Sequence, residues 1–287
     1  MAIRSTNVRA FHQVSEISLR IVKILIHSNL IISLGAVGLA LTTKAILSIQ
    51  FDPIPLAFVF VATFIGYTIN RFTDRAVDSY NVPDRAAFIE RYGQVLLLVG
   101  VLGYSVALVS TYRFFPHLVP LAVLPVAVAL IYSTSLIERF FILKNGLVGV
   151  IWAGIPLGLA YYSIGTISTA TWLLGIIVLT YFVGAAMMFD LKDIDGDRNT
   201  GCRTLPVCYG IPTTKRVVGS ILLASVPVII VGMTAFTARF GLLLLYPLYL
   251  LPIIPCATPD HGTIFYGFII DAEHIAIGSI AAFLILL

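Results

Sequence analysis

Six oxygen-bearing side chains fall in two short runs of this 287-residue chain. Asn70, Asp74 and Asp78 stand four residues apart. A helix turns about 100° per residue, so a step of four drifts only about 40° around the axis. All three are expected on one helix face, spread along about 12 Å. Asp190, Asp193 and Asp197 follow at spacings of three and four, and share a face if their helix continues, while Asp195 points away. Each run follows an almost wholly apolar stretch, Ile54 to Ile69 and Trp172 to Phe189, so each stands at the end of a membrane helix. One or two such acids are ordinary solvated helix ends; six aligned ligands are not explained that way. A carboxylate at membrane depth costs about 2.5–3.5 kcal/mol, and like charges add repulsion, so the cluster needs cations. All-oxygen ligands favour hard ions, and Mg²⁺ binds through one or two carboxylates together with waters and substrate phosphates. The local logic is a Mg²⁺–diphosphate site built from two helix ends.

The longer context of both runs resembles a known family. Asn70-x3-Asp74-x3-Asp78 followed by Asn81-Val82-Pro83-Asp84-Arg85 resembles the first signature of the UbiA superfamily of intramembrane prenyltransferases. Asp190-x2-Asp193-x3-Asp197-Arg198-x2-Gly201-x2-Thr204-Leu205-Pro206 resembles its second. The resemblance implies transfer of a prenyl group from an allylic prenyl diphosphate to a hydrophobic or aromatic acceptor, with Mg²⁺ as the cofactor. It makes Asp74, Asp78, Asp193 and Asp197 the catalytic set, with one aspartate not committed to metal as base. Within the family the acceptor is an aromatic quinone precursor, a glycerol-phosphate ether lipid precursor or a porphyrin. Many members carry Tyr-x3-Lys after the fourth helix. Here Tyr132 is followed by Leu136, and of the nearest cations, Arg139 and Lys144, Lys144 is the expected replacement. Carbocation character at the prenyl carbon suits aromatic faces; Phe64, Tyr67, Phe72, Tyr161 and Tyr162 are candidates, each more often merely packing.

The elements that must position these groups are membrane helices. Hydrophobic residues make up 59% of the chain and charged residues 11%, against about 25% charged in soluble domains. Nine apolar runs of roughly span length begin with Ile21–Leu41 and continue as 54–73, 92–112, 117–136, 146–165, 171–190, 214–235, 240–257 and 268–287. The expectation is one all-α domain over 1–287, with nine transmembrane helices around a central cavity. Three cysteines, Cys202, Cys208 and Cys256, match no zinc spacing and suggest no disulfide framework.

Nine spans place the termini on opposite sides. Of the 18 Lys and Arg residues, only Lys44, Arg113 and Arg239 then fall on the side away from the motifs. Basic loops mark the cytoplasm, so the N-terminus and the motif side are expected inside, in a cell membrane, with the site opening toward the cytoplasm. The net charge of +4 therefore reports topology and not nucleic-acid affinity, and no obligatory protein partner is evident. Some cations have a second use. Arg holds phosphate oxygens bidentately, and Arg85, Lys192 and Arg198 adjoin the ligand candidates; with Lys144, Tyr132 and Lys23 they form the expected substrate-binding set. Asp271 and Glu273 open the last helix, where carboxylates suit the helix dipole. The rival class is an ion or metabolite transporter, whose acids sit near the bilayer midplane between repeats; here they cluster at helix ends under basic loops.

Overall fold

The computed structural model describes residues 16–132 and 141–286, which are helices and their connections, with no strand among them. The first half comprises α1 (Glu16–His27), α2 (Leu30–Ile46), α3 (Pro53–Thr73), α4 (Arg75–Asn81), α5 (Pro83–Phe114) and α6 (Val119–Tyr132). The second comprises α7 (Phe141–Ile164), α8 (Thr169–Phe189), α9 (Ile194–Thr200), α10 (Leu205–Tyr209), α11 (Ile211–Ala235), α12 (Leu245–Ile253) and α13 (Glu273–Leu286). Seven helical segments are long and apolar enough to cross a membrane, and the bent pair α1–α2 makes an eighth. Pro116–Tyr132 is shorter, and residues 133–140, into which the expected fourth span runs, lie outside the described residues.

The first span is not the straight run that its apolarity predicts. It bends by 68° between α1 and α2. Asn29 sits at the bend with φ 63°, a left-handed conformation that Asn tolerates better than most residues. Its side-chain amide donates to Thr68 Oγ1 at 3.2 Å, which ties the bend to α3 two residues before Asn70. At the other end of α3, Asp52 caps the helix by accepting from the Ile54 amide at 2.9 Å, and Pro53 occupies its first turn.

Helix packing is close where small residues allow it. A Cβ on Gly38 of α2 would stand 2.0 Å from the His274 carbonyl oxygen of α13, so these two backbones touch, as small residues permit in membranes. On the far side of the bundle α8 packs against α7 and α11, burying Leu174, Met188 and Val218. Trp152 of α7 stacks on Phe182 of α8 at 4.0 Å between centroids. The outward surface is apolar: Val95, Leu98, Leu102, Val106 and Val109 of α5 are all exposed. A helix apolar on every side belongs in lipid or a core, and α5 buries little.

Side-chain contacts show which ends lie together. Lys23 pairs with Asp84, Lys144 with Asp190, Asn81 with Gly196, and Lys215 with the Pro255 carbonyl. These collect the N-terminal helix and the connections after α3, α6, α8 and α12 at one end. At the other end Tyr162 donates to Asp52 and Arg239 donates to the Ala45 carbonyl. The helices thus alternate in direction around a cavity of about 1290 Å³.

Candidate active site

The two acidic runs meet at one mouth of this cavity, but not as two unbroken helix faces. α3 ends at Thr73 and α4 restarts at Arg75, with Asp74 between them at φ −86°, ψ 3°. The Thr73 hydroxyl donates to the Asn70 carbonyl at 2.8 Å and to Asp74 Oδ1 at 3.3 Å. Such local side-chain bonds compete with the helix ladder. α8 likewise ends at Phe189; a turn carries Asp190 to Asp193, and Asp193 precedes α9. Asp195 points outward and is exposed. Periodicity extrapolated through both breaks would misplace the second half of each run. The halves are joined where Asn81 Oδ1 accepts the Gly196 amide at 2.9 Å; a Cβ on Gly196 would meet that oxygen at 2.1 Å.

Three of the carboxylates hold cations of their own. Asp78 takes the Arg85 guanidinium in a two-pronged grip, with Nε at 2.7 Å and Nη2 on the other oxygen. Asp190 accepts from Lys144 Nζ at 3.2 Å and from Asn145 Nδ2 at 2.9 Å. Asp193 accepts from Lys192 Nζ at 2.6 and 2.8 Å. Asp74 makes no salt bridge among the described residues; Asn70 Nδ2 donates to it at 2.8 Å.

Burial raises the Asp74 carboxyl above the usual range, against the opposing pull of Arg71. Burial also raises Asp197, to about 6. For Asp193 burial pushes upward too, but Lys192 and Arg85 outweigh it and hold the group below the usual range. Burial lowers Lys192, against the attraction of Asp193.

These donors fit a hard cation. Among the described residues Asn70 Oδ1 and Asp197 Oδ2 are buried oxygens with no hydrogen-bond partner, and the buried Thr204 hydroxyl lies beside Asp197. Buried acceptors left open call for a ligand or water. No three His, Cys, Asp or Glu side chains among the described residues converge into a ready metal cage. That suits Mg²⁺, which takes one or two carboxylates and completes its shell with waters and phosphate oxygens.

The expected substrate residues divide. Arg85, Lys144, Lys192 and Tyr132 line the cavity with Asn70, Asp74 and Asp190. Asp78 and Asp193 reach its wall through their paired cations. Lys23 is bound to Asp84 on the surface, at 44% and 64% side-chain exposure, and Arg198 is exposed; neither lines the cavity. Arg139 and Ser133 lie outside the described residues. Of the aromatic candidates, Tyr67 and Tyr162 line the cavity and the other three do not.

Sequence reasoning missed Asn145, whose only signal is its place beside Lys144. It also missed Arg71, counted above as a topology signal. Arg71 lines the cavity, its Nε is buried without a partner, and its guanidinium lies 5.9 Å from the Tyr67 ring centroid. Below this head the wall is mostly apolar, interrupted by Tyr181, Glu273 and His274, and continues to Phe115 and Tyr162 at the opposite end. From Asn70 to Pro55, both in the wall, α3 rises about 22 Å.

A family model described as the UbiA prenyltransferase family matches residues 30–258. The chain belongs to the UbiA prenyltransferase family. A digeranylgeranylglyceryl phosphate synthase from Methanosphaera stadtmanae is 29% identical over 177 residues, 58% of this chain and 59% of the relative. The match thus spans less than two thirds of that relative's length. Among solved structures, an apo UbiA homologue from Aeropyrum pernix K1 superposes with a TM-score of 0.70 at 17% identity, covering 89% of this chain and 98% of that one. A UbiA homologue from Archaeoglobus fulgidus bound to GPP and Mg²⁺ gives 0.66 at 13% identity, with 90% and 98% covered. At these identities the likeness concerns the fold.

Proposed function

We propose that this UbiA-family chain transfers a prenyl group from an allylic prenyl diphosphate to an acceptor held in the same cavity, releasing diphosphate. The observation that carries this reading is the cavity itself: charged and oxygen-lined at one mouth, mostly apolar over the remaining length. At about 1290 Å³ it exceeds the roughly 300–1,000 Å³ of an ordinary small-molecule site, room for an isoprenoid tail beside an acceptor.

Asn70 and Asp74 from one run, and Asp190, Asp193 and Asp197 from the other, would hold Mg²⁺. Bound there, Mg²⁺ supplies Lewis-acid neutralisation of the charge that develops on the departing diphosphate. Arg85, Lys192 and Lys144 line the mouth and add charge-assisted hydrogen bonds to phosphate oxygens. The apolar wall aligns the tail and keeps out water, which would otherwise trap the allylic cation. As the carbon–oxygen bond to diphosphate breaks, the acceptor's nucleophilic atom bonds to that carbon. One of these aspartates, through a carboxylate oxygen that does not touch the metal, takes the acceptor's proton.

The same reading sets the topology: nine spans in one domain, with the N-terminus and the charged mouth cytoplasmic. It is supported by the basic residues, which all but Lys44, Arg113 and Arg239 assign to the mouth side.

The test is product formation. Purified protein in lipid nanodiscs, with Mg²⁺ and labelled geranylgeranyl diphosphate, is given a glyceryl ether phosphate, a hydroxynaphthoic acid and a tetrapyrrole acid in turn. A product heavier than one acceptor by the prenyl mass is expected. Absence of Mg²⁺-dependent transfer to all three would sink the proposal.

A further inference from the structure

The last helix enters the bundle through a π-helical turn, Phe265–Ile270, just before Asp271. Such turns recur at functional sites because they re-aim the residues around them. Here they precede Glu273 and His274, which are 3% and 2% exposed and line the cavity. Among the described residues neither carboxyl oxygen of Glu273 has a hydrogen-bond partner, nor does His274 Nδ1. Tyr181, 5% exposed, also lines the cavity and packs edge-on against the His274 ring; its hydroxyl is buried and unpartnered as well. Four open polar atoms in one apolar neighbourhood are far above what a folded protein leaves without reason. The helix-dipole reading accounts for a carboxylate in the first turn of α13. It does not account for one sealed from water.

The depth of this cluster follows from its neighbours. His274 stacks on Phe182 at 4.8 Å and on Trp152 at 5.8 Å between centroids. Phe182 is eight residues from Asp190 and Trp152 eight from Lys144, so each stands about 12 Å below the charged mouth. His274 Nε2 lies 3.9 Å from Glu273 Oε1, too far for a hydrogen bond and suited to one bridging hydroxyl or N–H.

We infer that Glu273 and His274, with the Tyr181 hydroxyl, seat a second hydrogen-bonding group of the acceptor, about 12 Å from the atom that is prenylated. The inference rests on the prenyl-transfer reading and narrows its acceptor. It requires a molecule polar at both ends of that distance, such as an extended ring system with a hydroxyl, carbonyl or ring N–H opposite its nucleophile. A glyceryl ether phosphate carries its phosphate on the carbon next to its nucleophilic hydroxyl and only hydrocarbon tail farther off, so it has nothing to place at that depth. The donor's tail, which passes this depth, has no hydrogen-bonding group to offer, so the pair discriminates acceptors and leaves donor binding alone.

The experiment uses the full chain in nanodiscs, with Mg²⁺, geranylgeranyl diphosphate and the same three acceptors. Glu273→Leu replaces an unpartnered buried carboxyl with an apolar side chain, so the thermal midpoint holds or rises. Its acceptor KM rises about tenfold or more, while KM for geranylgeranyl diphosphate is unchanged. Glu273→Gln restores most of the acceptor affinity, because an amide still bonds a hydroxyl. Tyr181→Phe, which deletes one oxygen, raises acceptor KM by a smaller factor in the same direction.

Unchanged acceptor KM in all three variants overturns the inference and leaves water as the occupant. A lowered thermal midpoint with both KM values raised assigns the pair to structure and also overturns it. So does wild-type turnover of the glyceryl ether phosphate alone. Wild type that binds geranylgeranyl diphosphate and prenylates none of the three overturns the transfer reading itself.

Discussion

Arg85→Lys separates the two duties that Arg85 can have. In the free protein its guanidinium grips Asp78 with two hydrogen bonds, and the two side chains are only 11% and 6% exposed. Lysine keeps the charge but offers a single point in place of a planar fork, so one charge-assisted bond disappears. At this burial solvent screening is slight, and the loss is about 1.5–3 kcal/mol. Thermal or denaturant unfolding without ligands should register that deficit. If Arg85 also turns to the diphosphate, the same lost prong weakens prenyl diphosphate binding by about tenfold to a hundredfold. Calorimetry at saturating Mg²⁺ measures this directly, with acceptor KM as the control that should stay put. A variant that is less stable yet binds prenyl diphosphate as wild type does would refute the substrate role and leave Arg85 as a strut for Asp78. A change confined to the acceptor would mean that the two substrates have been placed the wrong way round.

Other perturbations reach the site from different sides. Asp74→Ala and Asp193→Ala each remove a carboxylate from a different half, and each should lower turnover beyond the tenfold to hundredfold that loss of an outer-shell partner typically costs; near-normal rates in correctly inserted protein would remove these residues from the metal set. Gly196→Ala drives a Cβ into Asn81, so it should destabilise the protein by about 1–3 kcal/mol and cut activity while leaving membrane insertion intact, as followed by unfolding and rate assays. For topology, single cysteines at Ser79 and Thr166, both exposed, should label oppositely with an impermeant thiol reagent on intact cells, Thr166 reacting and Ser79 not. That experiment needs Cys202, Cys208 and Cys256 replaced first, since a thiol reagent would label them too and two are exposed.

Much of the site could be read from the chain because its chemistry is local. The acidic runs announce themselves by spacing, and the basic residues sort the loops by side, so the head of the cavity and the residues gathered there were foreseeable. What escaped depends on contacts between distant parts of the chain. Nothing in the sequence says that Lys144 and Asn145 reach Asp190, 46 and 45 residues away. Helical periodicity assumes a continuous helix, and both runs break, at Asp74 and between Asp190 and Asp193, where short polar side chains and turns replace the ladder. Arg71 looks like any other arginine of the basic loops until its burial is seen. Glu273 and His274 sit in a stretch without Lys or Arg, and depth in the bundle has no signature there.

On the proposed prenyl transfer, the salt bridges at the mouth also bear on how a catalytic cycle would close. Arg85 with Asp78, and Lys192 with Asp193, are tethered to one another, so each competes with the other's external partner at the high effective concentration of an intramolecular contact. While substrate is bound that competition weakens the grip. Once the prenyl group has left, the anion that remains no longer carries a tail buried in the apolar wall, and only the charged head retains it. Re-forming the internal pairs then favours its departure. The pairs would thereby limit product inhibition, and a variant with weakened pairs should be recognised by release of diphosphate that is slowed relative to its own chemical step.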